Sequence, residues 1–117
     1  MARYKGEEIK FAINIEAPGF SMDADDFDIE VKSGRTSVKG YKDNSKSQDL
    51  AVRIFSETIP AEEGGDPTLQ WYVIVDTSSL ATGQMRVIST AYIVDVNAND
   101  GIRKSIDVQQ LDTLVDP

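Results

Sequence analysis

The chain contains no cysteine and no histidine. The first absence excludes disulfides, thiolate metal sites and a cysteine nucleophile. The second removes the commonest general base and the commonest zinc ligand, so no Ser-His-Asp triad can be assembled from this chain alone. Gly-rich phosphate loops, HExxH and paired-carboxylate motifs are missing too. No apolar run approaches the ~20 residues that span a bilayer as a helix. The opening stretch, MARYKGEEIKF, has no apolar segment of the kind a secretory signal needs. Positive charge is scarce: 12 Lys and Arg face 20 Asp and Glu, for a formal net charge of −8. A field of that sign repels phosphate backbones and anionic lipid, so neither nucleic acid nor membrane is an expected partner. With Met1 read as the genuine start, the protein is expected to be made in the cytoplasm and to leave it only inside an assembly.

What is present is a β pattern. The 117 residues, 40% of them hydrophobic, suit one domain with a single core. Ile9, Phe11, Ile13 and Ile15 alternate with polar or small residues, a half-buried strand that Ala17-Pro18-Gly19 ends. Phe27, Ile29 and Val31 repeat the pattern. Ser33-Gly34-Arg35 reads as a hairpin turn, and Thr36 to Lys42 as a short return strand with Val38 and Tyr41 on opposite faces. Asp43 to Asp49 is a polar loop, after which Leu50, Val52 and Ile54 alternate against Phe55. The stretch Pro60 to Pro67 is an exposed loop. Trp71, Val73 and Val75 oppose Tyr72 and Ile74, a strand apolar on both faces and so expected to be central and covered on both sides. Met85 to Val94 is expected to be the longest strand, followed by a polar turn from Asp95 to Gly101. A last strand runs from Ile102 to Val108, and Leu111, Leu114 and Val115 form a short apolar tail.

Asp76 to Val87, DTSSLATGQMRV, has a different character. It reads as a strand end, a short Leu-x-x-Gly crossover and a new strand, passing the chain from one sheet to another. The fold class expected is therefore all-β, an Ig-like antiparallel β-sandwich of about seven strands over residues 1–117, with 1–8 as a flexible arm. A partly open barrel is the alternative.

Four groups of residues are candidates for function. Asp23, Asp25, Asp26 and Asp28 cluster like calcium ligands, but their spacing is not that of an EF-hand, and Asp28 belongs to an alternating strand where it should face solvent. The plainer reading is an acidic turn. Asp95 and Asp100, with Asp107 six residues beyond Gly101, are weak metal candidates, set against a simple hairpin around Asp100-Gly101. Trp71 is expected to be the core tryptophan, and Tyr72 and Tyr92 either an outer aromatic patch for a partner or plain cross-strand packing. Arg3 and Tyr4 sit in a short basic arm that could dock on an acidic neighbour, the plainer reading being a frayed terminus. No catalytic residue, cofactor or firm metal site is expected.

The order RYKGEEIKF, GFSMDADDFDIEV, WYVIVDTSSLATGQMRV, TAYIVDVNANDGIRKSIDV resembles small β-sandwich proteins of tailed bacteriophages and prophages of anaerobic gut bacteria. It is more loosely similar to the N-terminal sandwich of phage baseplate upper proteins. Gly19, Phe20 and Asp23 match the early motif, Asp76, Leu80 and Gly83 the crossover, and Asp100 with Gly101 the last turn. The resemblance covers nearly the whole chain, through structural motifs. It implies a non-enzymatic virion structural protein, a capsid decoration or a tail- or fibre-attachment subunit. Such a protein would be made in the host cytoplasm, reside in the virion, and bind other virion proteins or itself in an oligomer or lattice. Baseplate proteins continue into a receptor-binding portion whereas this chain stops at Pro117, which favours the stand-alone role. The alternative is a surface-displayed carbohydrate-binding or adhesion module.

Overall fold

The computed structural model describes residues 2–43 and 51–117. Among them are eight strands and no helix: β1 (Ala2–Tyr4), β2 (Glu8–Ile13), β3 (Asp26–Ser33), β4 (Thr36–Tyr41), β5 (Val52–Ile59), β6 (Thr68–Asp76), β7 (Gly83–Val94) and β8 (Ile102–Val115). They form a five-stranded sheet in the order β1-β8-β7-β3-β4 and a three-stranded sheet in the order β2-β6-β5. Every pairing is antiparallel except β1 with β8, which is parallel. The fold is thus all-β and sandwich-like, with eight strands where about seven were expected. Of the polar loop from Asp43 to Asp49 only Asp43 is described, and Leu50 also lies outside the described residues.

Both sheets contribute one face to a common core. Phe27, Ile29 and Val31 of β3, Val38 of β4, and Met85 and Val87 of β7 meet Ile9 and Ile13 of β2, Val52 and Ile54 of β5, and Val73 and Val75 of β6. These are the residues that the period of two set on one side of each strand, and their burial is the main force holding the sheets together. The approach is tightest where β4 passes over β5. A Cβ on Gly40 would stand 2.8 Å from the Val52 carbonyl oxygen, so this position has room for glycine alone.

Asp76 to Gly83 carries the chain from the three-stranded to the five-stranded sheet, as its sequence suggested. Leu80 is fully buried and plugs the end of the core. Buried Thr77 donates its hydroxyl to the Glu7 carbonyl (2.8 Å) and accepts from the Gly6 amide (3.0 Å). On the other side, the Ala81 amide donates to Thr36 Oγ1 at 2.7 Å, fastening the crossover to the β3–β4 hairpin. Gly34 makes that hairpin possible with φ of 59°.

Three expectations change. The longest strand is β8, with 14 residues, not the stretch ending at Val94. What read as a last strand plus an apolar tail is continuous, joined by a bulge in which Leu111 and Asp112 oppose Met85 alone. The extra residue reverses the alternation, so Leu114 points into the core. Strand β6 is central in its sheet, but among the described residues its outer face carries no further layer. Tyr72 and Ile74 there are only half-buried, beneath the side chains of neighbouring strands. Finally, Ala2–Tyr4 lies within the run read as a flexible arm, yet it pairs in register with Thr113–Val115.

Candidate interaction surface

The acidic turn before β3 is closed by the protein's own cation. Lys42 Nζ donates to the carbonyl oxygens of Met22, Asp23 and Asp25 at 2.7, 2.9 and 2.7 Å. The same ammonium lies 5.1 Å from the Trp71 ring and 5.7 Å from that of Phe27. Asp25 accepts from the Ser21 amide, and Asp23 accepts from Trp71 Nε1 at 2.8 Å. Trp71 is therefore at the rim of the core, edge-on to Phe27 and tied to the turn, rather than enclosed between the sheets.

Asp28 does not face solvent: it is 2% exposed. It stands on the outer face of the five-stranded sheet, between Tyr41 of β4 and Thr90 of β7. Tyr92 donates its hydroxyl to Asp28 Oδ2 at 2.6 Å, and Lys39 Nζ is 3.7 Å from the same oxygen. Burial, followed by this bond and the charge of Asp28, raises the Tyr92 phenol well above its ordinary range. A cavity of about 400 Å³ opens beside them, walled by Tyr41, Tyr92, Val94 and Ile102 with Asp25 and Asp26 at its rim. The phenol is committed as a donor to a buried carboxylate, which makes the cluster a structural lock on this face.

Tyr72 is on the other side of the molecule. It belongs to the outer face of the three-stranded sheet, stacked on Phe55 with ring centroids 5.9 Å apart and covered by Lys10 Nζ at 4.5 Å. Tyr72 and Tyr92 thus make two separate surfaces and no single patch. Arg3 is held within the chain by Asp112 (Nε–Oδ2 3.0 Å), and Tyr4 beside it is exposed.

Asp95, Asp100 and Asp107 do not converge. Asp95 accepts from the Asn97 amide at 3.0 Å and pairs with Arg103 Nε at 3.3 Å, and these contacts hold its carboxyl below the usual range. Gly101, with φ of 73°, completes the hairpin turn. Asp107 is five residues along β8 from Ile102, roughly 17 Å at strand rise. Among the described residues, no three acidic side chains group in a way that could hold a metal ion.

The surface that stands out is β8 itself. Its register with β7 places Ile102 beside Val94, Ile106 beside Thr90 and Val108 beside Ile88. Residues opposite one another share a face, and the core face of β7 is that of Val87, Ala91 and Ile93. Ile102, Ile106 and Val108 therefore point away from the core, while Arg103, Ser105, Asp107 and Gln109 occupy the inner side. This reverses the usual disposition of an alternating strand. The inner side has little to pack on, because the three-stranded sheet ends short of β8 and leaves a groove of about 410 Å³ against Asn14, Ile15 and Glu16. Val94, Ile106 and Val108 are 75%, 64% and 54% exposed, a clustered apolar stripe on this face of the sheet.

The edge of β8 is open as well. Among the described residues only β1 pairs with it on that side, and only at Thr113–Val115. The Asp95 amide donates to the Gly101 carbonyl at 2.9 Å. The alternation of an antiparallel ladder then directs the backbone groups of Arg103, Ser105, Asp107 and Gln109 to β7, and those of Ile102, Lys104, Ile106 and Val108 outward. The sequence carried one sign of this: between Ile102 and Val108 the apolar residues all have even numbers. Which face they occupy depended on the register with β7, which no local pattern encodes. Compared with protein-family models, curated proteins and solved structures, the chain matches none.

Proposed function

We propose that this chain is a non-enzymatic structural subunit that works by burying β8 against another protein. The observation that carries the reading is the reversed strand: Ile102, Ile106 and Val108 turned to solvent beside a backbone edge that no described strand pairs. Natural sheets blunt or cover such edges unless something pairs with them, and strand addition is a common way for sheets to recruit partners. The finer fold reading is Ig-like. Taken in chain order with one strand added after the third, the sheets group as B-E-D and C′-C-F-G. The first strand departs from that scheme by lying beside the last, and neither the inter-sheet disulfide nor a tryptophan on the third strand is present.

The setting we propose is the one the sequence resemblance implies, a tailed-phage particle, with this subunit decorating the capsid or joining a tail or fibre. A strongly acidic exterior suits a protein placed away from packaged DNA. The test is mass spectrometry of gradient-purified particles from the source culture. Recovery at many copies per particle is expected. Clear absence from particles, with the protein abundant in cells, would overturn the virion setting.

A further inference from the structure

We propose that the partner of the β8 edge is a second copy of this chain, joined antiparallel about a two-fold axis at Ser105, so that the two five-stranded sheets become one. The inference rests on the reading of β8 as the working surface, and it adds the occupant and the register.

The hairpin turn from Asp95 to Gly101 bounds the open edge at one end, and β1 occupies it from Thr113 at the other. A partner strand centred on Ser105 pairs Ile102 with Val108 and Lys104 with Ile106, in both directions. It then leaves the edge before reaching β1. The outward backbone groups are those of Ile102, Lys104, Ile106 and Val108, so every pair that must exchange backbone hydrogen bonds in this register consists of residues whose groups face the partner.

The side chains agree with the backbone. On the outer face, Ile102 of each copy lies beside Val108 of the other, so the two exposed apolar stripes run together across the axis. On the inner face, Arg103 lies beside Asp107 of the other copy, twice. Opposite charges directly across strands stabilise a pair, and like charges oppose it. Shifting the centre to Asp107 would place two carboxylates face to face. Ser105, small and neutral, meets itself on the axis, where side chains approach most closely. Although the chain carries a net charge of −8, the segment Ile102–Val108 contains Arg103, Lys104 and one acid, so the contact strip itself is not acidic. An isologous two-fold contact of this kind closes on itself and yields a dimer rather than a fibre.

The absence of cysteine makes the register directly readable. In Ser105→Cys, the two thiols would face each other across the axis within disulfide reach. Mild oxidation is expected to convert most of the protein to a covalent dimer on a non-reducing gel, while Gln109→Cys under the same conditions stays largely monomeric. Sedimentation equilibrium of the unmodified full chain is expected to show twice the monomer mass. Ile106→Pro removes one outward amide and leaves the ladder to β7 intact, so it is expected to return the protein to monomer with its circular dichroism unchanged. Asp107→Arg is expected to weaken the dimer at least tenfold, and Arg103→Asp on the same chain to restore part of it. A monomer mass at all concentrations, or Ser105→Cys linking no better than Gln109→Cys, would overturn the proposal. Capture of this edge by a particle protein, with no self-association, would also overturn it while leaving the structural-subunit reading standing.

Discussion

Strands β3 and β8 lie in the same sheet with only β7 between them, yet they treat their apolar residues in opposite ways. In β3, Phe27, Ile29 and Val31 are all fully buried; Ile29 and Val31 are paired with strands on both sides, and Phe27 pairs with β7 and accepts from the Lys42 amide on the other side. In β8, Leu114 past the bulge is buried in the core and Leu111 packs against it, while Ile102, Ile106 and Val108 before the bulge face solvent. The same residue types at the same spacing thus serve cohesion in one strand and display in the other. Position and register make the difference, since β3 lies over the three-stranded sheet and β8 overhangs it.

That contrast can be broken most directly by truncation. Ile29→Ala is expected to cost about 2–5 kcal/mol of stability, the usual cost of a cavity in a packed core. Ile106→Ala is expected to stay within about 0.5 kcal/mol when measured on the monomer. Urea unfolding at micromolar protein checks both, and a large loss for Ile106→Ala would mean that β8 is part of the core. Lys42→Met comes next, because it strips the cation from three turn carbonyls and is expected to cost about 1.5–3 kcal/mol.

Tyr92→Phe sharpens the comparison on the face that β3 and β8 share. It leaves the buried Asp28 carboxylate without its shortest hydrogen bond, at a cost of about 1–3 kcal/mol. It should also remove from the tyrosinate absorbance titration the phase that lies well above the ordinary phenol range, where Tyr92 is expected to ionise. The sign follows from the raised folded value. Above about pH 10 the unfolded chain releases this proton first, so stability falls with rising pH. The smallest effect is expected at the other end of the scale. Asp76 is lowered by the Ser78 hydroxyl and amide, and Asp95 by the Asn97 amide and Arg103. The unfolded chain therefore takes up these protons first as pH drops below about 3.9. Their contribution is present above that pH and is lost as pH falls through the folded values. Asp95→Asn should flatten the acid limb of a melting-temperature profile slightly, and an unchanged profile would remove Asp95 from the account.

Much of the fold was legible because burial imposes a period of two. The alternations at Ile9, Phe27, Val52 and Trp71 marked four strands, and Leu80 within its Leu-x-x-Gly run marked the passage between sheets. Three things were hidden. The pairing of β1 with β8 joins residues more than a hundred positions apart, and nothing in Arg3 or Tyr4 announces it. The bulge at Leu111 and Asp112 made one strand look like a strand and a tail. Asp28 looked solvent-facing because alternation alone cannot foresee that Tyr92 and Tyr41 close over it. The working surface was hidden for a related reason: Ile102, Ile106 and Val108 form an ordinary amphipathic pattern, and only their register with β7 turns it outward.

Residue-resolved amide hydrogen exchange along β8, measured at low and at high protein concentration, tests the central claim most directly. Arg103, Ser105, Asp107 and Gln109 are expected to be protected at both concentrations, because they donate to β7. Ile102, Lys104, Ile106 and Val108 should exchange fast when dilute and slow markedly when concentrated. Equal protection of odd and even positions, unchanged by concentration, would contradict it and show that β8 is not an open edge awaiting another strand.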